Sequence, residues 1–165
     1  MLLKITYKPT FFVDAMLGNI ARKLRLSGYD SQYFSDIDDD KLIDSAKKEN
    51  RIVVSSDEEL IKKTKKLGMK SIYVTKKEEN EQFFEIISNI KLQRIQINGS
   101  VARCPKCNSL TELVDKNSVK EKISQGVIKL NDKFWRCKSC NQIYWEGTHI
   151  KNLQNFVGMI NERLQ

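Results

Sequence analysis

Apolar positions in the first hundred residues switch repeatedly between two periods. "TFFVDA" (10–15) is a short apolar run ending on a carboxylate, and it predicts a strand. "GNIARKLRLSG" (18–28) then places Ile20, Ala21, Leu24 and Leu26 roughly on one helical face and closes on Gly28. The alternation continues. "YDSQYF" reads as a weaker strand. "DDDKLIDSAKKEN" reads as a helix whose Leu42, Ile43 and Ala46 form the apolar face and whose Asn50 suits its C-terminal end. "RIVVSS" is a β-branched strand. "DEELIKKTKKLG" is a helix with Glu58 and Glu59 in its first turn and lysines later, the order the helix dipole favours. "KSIYVT", "EENEQFFEIISNI" and "RIQIN" predict a further strand, a helix and a last strand. Such alternation predicts an α/β fold, a parallel sheet with helices on its faces.

In open parallel sheets, ligands bind beyond the C-terminal ends of the strands. Three successive strand-to-helix junctions here carry carboxylates: Asp14, then Asp36, Asp38, Asp39 and Asp40, then Asp57. Helix capping accounts for Asp39 and Asp57 singly. It does not account for Asp14 on a very apolar strand, nor for three acidic junctions on one edge. The functional reading is that Asp14, Asp39, Asp57 and Glu59 hold Mg²⁺ or Mn²⁺, hard ions that want oxygen ligands. Two such ions about 3.5–4 Å apart can activate a water and stabilise the leaving oxygen of a phosphodiester.

From Gly99 the texture changes. Residues 99–150 contain all four cysteines, both tryptophans and the only histidine. "CPKC" (104–107) and "CKSC" (137–140) are separated by 29 residues. Two CxxC pairs can complete a tetrahedral four-thiolate shell, so Cys104, Cys107, Cys137 and Cys140 are expected to hold one structural zinc. Disulfides are disfavoured in a reducing compartment, and a redox pair would need a thioredoxin-like setting. The long separation leaves room for an inserted segment such as "KNSVKEKISQG". Trp135 and Trp145 either fill the core of the zinc module or stack on bases. "HIKNLQNFVGMINERLQ" carries Leu153, Phe156, Val157 and Ile160 at helical spacing and reads as a closing helix. The expected organisation is an α/β domain over 1–98, a zinc-ribbon module over 99–150 and a C-terminal helix over 151–165.

Composition adds a direction. An apolar content of 40% in 165 residues permits a real core. No apolar run is long enough to predict a membrane span. "MLLKITYKPT" is too short and polar for a secretion signal, so the cytoplasm is the expected location. The formal charge is +8. Residues 1–98 hold 18 basic and 15 acidic groups, a net of +3, and residues 99–165 hold 11 and 6, a net of +5. Four thiolates and one Zn²⁺ would lower the total to about +6. The basic excess in the smaller part fits nucleic acid. Arg22, Arg103, Arg136, Lys138 and His149 are the candidate contacts, with packing or a hydrogen bond as the other reading of His149.

"FFVDAMLGNIARKLRLSGYD", "DIDDDKLIDSAKKENRIVVSSDEEL" and "CPKC…FWRCKSCNQIYWEGTH" together resemble the PIN-like ribonuclease domain found at the carboxy end of the mut-seven exonuclease. The resemblance implies a PIN-like α/β/α sheet with a zinc ribbon appended, and metal-dependent cleavage of RNA. Carried over position by position, it assigns Asp14 to the first strand, Asp39 to the start of the second helix, and Asp57 with Glu59 to a "T-x-D-x-D/E" pattern in which Ser55 replaces the threonine. A further acid on the second helix is implied, with Asp44 and Glu49 as candidates. Two functions follow as competitors. One is a Mg²⁺- or Mn²⁺-dependent ribonuclease whose ribbon grips RNA. The other is a non-catalytic adaptor associated with RNA, the ribosome or a ribonucleoprotein. A partner-silenced toxin is disfavoured by the appended module.

Overall fold

The computed structural model describes residues 8–92 and 94–165. The opening residues 1–7, on which the reading of no secretion signal mainly rests, lie outside the described residues. The chain divides into two compact units. One comprises the chain up to Ala21 with Tyr29–Ile90, and the other Arg22–Gly28 with Lys91–Gln165.

The first unit is the expected α/β fold. Its strands are β1 (Phe11–Val13), β2 (Ser31–Tyr33), β3 (Ile52–Ser55) and β4 (Ser71–Tyr73), parallel and in the order β2-β1-β3-β4. A 3-10 turn (Ala15–Leu17) and α1 (Gly18–Leu26) follow β1, α2 (Asp39–Lys48) follows β2, α3 (Glu58–Lys66) follows β3 and α4 (Glu79–Asn89) follows β4. The chain steps outward from β1 to β2, then returns past β1 to build β3 and β4. The winding therefore reverses between β1 and β3. At such a switch point the loops diverge and leave a crevice at the strands' C-terminal ends.

One face of this sheet is covered by α2 and α3. Leu42, Ile43 and Ala46 of α2 and Leu60 of α3 pack on Phe12 and Val53 in a single buried cluster. The helices end where left-handed residues stand: Asn50 (φ 52°) after α2 and Gly68 (φ 70°) after α3. At the N-terminal end of the sheet Arg51 is 9% exposed. It pairs with Asp30 and Glu49, each at 2.7 Å, and donates to the Phe11 carbonyl at 3.3 Å.

The second unit holds an antiparallel sheet in the order β5-β6-β7, formed by Thr111–Val114, Phe134–Cys137 and Ile143–Tyr144. The segment between the two cysteine pairs is not a bare loop. It contains a 3-10 turn (Lys116–Ser118) and α5 (Gln125–Leu130), and it builds its own core. Val119, Phe134 and Ile143 are buried there, with Val114, Ile123, Val127, Ile128 and Trp145 packed around them. Trp135 is 6% exposed and lies against Gly99, where an added Cβ would meet the indole at 2.1 Å. Both tryptophans thus serve packing. The closing helix is α6 (Thr148–Arg163), with Val157 and Ile160 buried.

"RIQIN" is not the expected last strand: residues 94–97 carry no strand pairing. Ile95 and Ile97 are buried, but α6 side chains satisfy their backbone. Asn161 accepts from the Ile95 N–H at 2.8 Å and donates to its carbonyl at 3.0 Å, and Gln154 donates to the Ile97 carbonyl at 2.9 Å. Carboxamides on a helix replace a neighbouring strand, and apolar alternation alone does not distinguish the two.

Candidate active site and metal centre

The candidate active site begins where β1 stops. The Asp14 N–H still donates to the Val54 carbonyl at 3.0 Å, which holds the residue at the end of the ladder. Its half-buried carboxylate then meets β3. The Ser55 hydroxyl donates to Asp14 Oδ2 at 2.6 Å, and Ser55 Oγ accepts from the Asp57 N–H at 2.9 Å. Ser55 is fully buried. One hydroxyl therefore ties Asp14 to the Asp57 backbone across the switch point. The turn after Asp14 is clamped as well. The Tyr33 hydroxyl donates to the Ala15 carbonyl at 3.2 Å, and Gly18 admits the ring, since a Cβ there would stand 2.7 Å from the Tyr33 oxygen.

The remaining acids have local partners. Asp57 caps α3: Oδ1 accepts from the N–H groups of Glu59 at 2.7 Å and Leu60 at 3.3 Å. Glu59 pairs with Lys62 at 2.8 Å, and that hydrogen bond and charge hold its carboxyl below the usual range. Asp38, rather than Asp39, caps α2 by accepting from the Lys41 N–H at 2.9 Å. Asp39 is the first helical residue, with Lys63 at 3.8 Å. Among the described residues, the group of three or more potential ligand atoms lying within 4.8 Å of one another is the cysteine set. The carboxylates of Asp14, Asp39, Asp57 and Glu59 do not form such a group. Of the two further acids considered, Glu49 belongs to the opposite end of the sheet, where it pairs with Arg51. Asp44 lines a groove beside α2.

Glu85 carries no sequence signal that singles it out. It accepts from the Thr75 N–H at 2.9 Å and hydroxyl at 2.6 Å. Burial pushes its carboxyl up, but the Thr75 hydrogen bonds and Lys77 outweigh this and leave it lowered. A third strand's exit is thus also bound to a carboxylate, here for structure.

The four cysteines are positioned to bind a metal such as zinc. Cys104 and Cys140 sulfurs lie 3.7 Å apart, and Cys107 and Cys137 3.4 Å apart. A tetrahedron with Zn–S near 2.3 Å has S–S edges of about 3.8 Å. The two knuckles repeat one geometry. Cys104 N–H donates to the Ser109 carbonyl at 2.8 Å, and Cys137 N–H to the Gln142 carbonyl at 2.9 Å. Asn108 (φ 67°) and Asn141 (φ 59°) turn the chain in the left-handed region, which asparagine tolerates better than most residues. An asparagine after each CxxC is the mark these turns leave in the sequence. On their own the thiols would not ionise together. Burial pushes Cys104 up to about 12 and raises Cys137. It acts the same way on Cys107, but hydrogen bonds with Ser109 and the Cys137 thiol bring that group down to about 6. A coordinating thiol is deprotonated outright, so a cation removes this disparity.

Two groups brace this centre that sequence reasoning did not single out. The Tyr144 hydroxyl lies 3.0 Å from Cys104 Sγ, and burial followed by that contact raises its pKa, leaving it a donor. Arg25, buried, donates to the carbonyl of Pro105 at 2.9 Å. Of the proposed RNA contacts, Arg103 donates from Nε to the Asn108 carbonyl at 2.7 Å and Arg136 pairs with Glu112 at 2.9 Å. Arg22, Lys138 and His149 are exposed.

The fold and the cysteine centre define an α/β domain carrying four cysteines positioned to bind a metal. The model of the Mut7-C RNAse domain family matches residues 9–157, and the chain belongs to that family. No curated protein and no solved structure gives a match. The family relation makes the chain a ribonuclease-type domain with RNA as its substrate class. No helix among the described residues is long and apolar enough to cross a membrane.

Proposed function

We propose that the chain is a metal-dependent ribonuclease that cleaves RNA phosphodiester bonds at the C-terminal edge of its parallel sheet. The observation that carries this reading is the hydrogen-bonded chain from Asp57 N–H through Ser55 to Asp14 at the switch point. It ties the Asp14 carboxylate to the Asp57 backbone just beyond two adjacent strands. Ser55 is hydrogen-bonded to one Asp14 oxygen, and the Asp57 cap uses Oδ1 alone. The second oxygen of each is suited to Mg²⁺ or Mn²⁺, which accept one or two carboxylates and keep several waters. When bound, such an ion lowers the pKa of a water and offsets charge building on the phosphate oxygens. Asp39 and Glu59, now paired with Lys63 and Lys62, would complete the set that holds the ion. The zinc ribbon over 99–150 holds its zinc for structure and assists RNA binding through Arg103, Arg136, Lys138 and His149, with Arg22 of α1 as a further contact. The cytoplasm is the proposed place of action.

A non-catalytic adaptor on RNA or a ribonucleoprotein is the second reading. The local pairing of Glu59 and Asp39 with lysines favours it. Cleavage of mixed single- and double-stranded RNA with Mn²⁺, Mg²⁺ or EDTA, wild type beside Asp14→Asn, decides between the two. Metal-dependent cleavage lost in Asp14→Asn supports the nuclease. RNA binding without cleavage in any metal supports the adaptor. Elemental analysis should find one zinc per chain, and chelation should unfold the cysteine module before the α/β part.

A further inference from the structure

We propose that the groove between the end of β2 and α2 is a pocket for one unpaired, amino-bearing RNA base stacked on Phe34. The groove measures about 450 Å³ and is lined by Phe34, Asp36, Ile37, Lys41, Asp44 and Ser45. Phe34 is 52% exposed. Its ring centroid lies 6.0 Å from that of Phe12, which is fully buried in the sheet's core. The ring is thus anchored from beneath while half of its surface meets water. A fixed aromatic face is the element that unpaired bases stack on.

The polar lining selects the part of the nucleotide that enters. Lys41 is already paired with Asp38 at 2.9 Å. Asp36 and Asp44 leave the groove acidic, which repels a phosphate but accepts hydrogen bonds from a base edge. Adenine, cytosine and guanine present amino donors, whereas the polar edge of uracil is mainly carbonyl oxygen. The groove also lies in register with the candidate active site. Val13 and Tyr33 are partners across β1 and β2. Asp14 and Phe34 therefore leave the sheet side by side, about one strand spacing (~4.8 Å) apart along the backbone. A nucleotide whose base sits on Phe34 has its phosphate directed toward Asp14. This inference rests on the nuclease reading for the path of the strand, but base binding itself needs no catalysis.

The test is equilibrium binding, in EDTA, of fluorescein-labelled A10, C10 and U10 RNA to the full chain. Wild type should bind A10 and C10 more tightly than U10. Phe34→Leu keeps an apolar cover over Phe12 but removes the aromatic face, and it should weaken A10 and C10 about fivefold or more, and U10 by less. Phe34→Trp should retain wild-type binding, and Asp44→Asn should narrow the gap between A10 or C10 and U10. Equal wild-type affinity for all three RNAs, or unchanged binding in Phe34→Leu, overturns the pocket. If base preference persists and no metal supports cleavage, the pocket stands and the nuclease reading falls. If cleavage persists and Phe34→Leu binds like wild type, the reverse holds.

Discussion

At the N-terminal end of the parallel sheet, Asp30 and Glu49 close on the buried guanidinium of Arg51, each at 2.7 Å. Burial works against that charge, but the two carboxylates outweigh it and hold the pKa of Arg51 above its usual value. At the C-terminal end, Asp14 has the Ser55 hydroxyl and Asp57 has backbone N–H groups, with no arginine on either among the described residues. The same residue type thus stands in two settings. An arginine satisfies both charge and hydrogen bonding, and it leaves a carboxylate little attraction for a second cation. A hydroxyl or amide fixes a carboxylate's position without neutralising it. The first arrangement suits structure, and the second suits a site whose cation arrives from solution.

The largest effect that tests this contrast is on activity. Asp14→Asn should lower Mn²⁺-dependent cleavage at least about a hundredfold, roughly 2.7 kcal/mol in barrier. Its stability should move by less than about 1 kcal/mol, because the amide oxygen still accepts from Ser55. Urea melts beside single-turnover rates measure both. A large stability loss with cleavage retained would give Asp14 the role that Asp30 has.

Arg51→Met should do the opposite. Removing one partner of a fully buried pair costs about 3–5 kcal/mol, and here roughly 2–3, since Asp30 and Glu49 keep contact with solvent. The melting temperature should drop by several degrees, while cleavage measured well below it stays at the wild-type rate. A parallel loss of rate and stability would mean that the two ends of the sheet are not independent.

Third in size is Ser55→Ala. It removes the hydroxyl that orients Asp14 and leaves the Asp57 N–H without that acceptor, at a cost of about 1–2 kcal/mol. Cleavage should fall about tenfold through misplacement of Asp14, and Ser55→Thr, which keeps the hydroxyl, should restore it. An Ala variant that loses stability but no rate would confine Ser55 to packing.

How much of this was legible in the sequence follows from the range of the forces involved. The strands, helices and their order come from local periodicity, and so does the left-handed Asn50 at the end of α2. The cysteine set is legible because CxxC spacing fixes each half of the shell by local turns. "RIQIN" misled because an extended segment can be satisfied by carboxamides 66 residues away, as Ile95 is by Asn161. Asp38 takes the capping place expected of Asp39 because cap position depends on a one-residue choice of backbone angle. Arg51, Tyr144 and Arg25 were not singled out because their value lies in partners that only the fold assembles.

The smallest effect concerns Glu59, whose place in the comparison is intermediate. It lies at the C-terminal end of the sheet but is paired, with Lys62 at 2.8 Å. The hydrogen bond and charge of Lys62 depress its carboxyl in the folded chain. A carboxylate lowered in this way contributes stability that is present above its unfolded pKa and lost as pH falls through the folded one. Being fully solvated, it contributes little. A carboxyl ¹³C titration should therefore find Glu59 ionising below the ordinary glutamate range. Lys62→Ala should move its midpoint upward, and salt near 1 M should move it the same way by screening. Addition of Mg²⁺ should shift the Asp14 and Asp57 resonances first, because neither carboxylate must leave a lysine to bind the ion. Should Glu59 respond to Mg²⁺ before Asp14, the ion's principal seat would lie on α3 rather than at the switch point. The contrast between the two ends of the sheet would then rest on helix geometry instead of on Ser55.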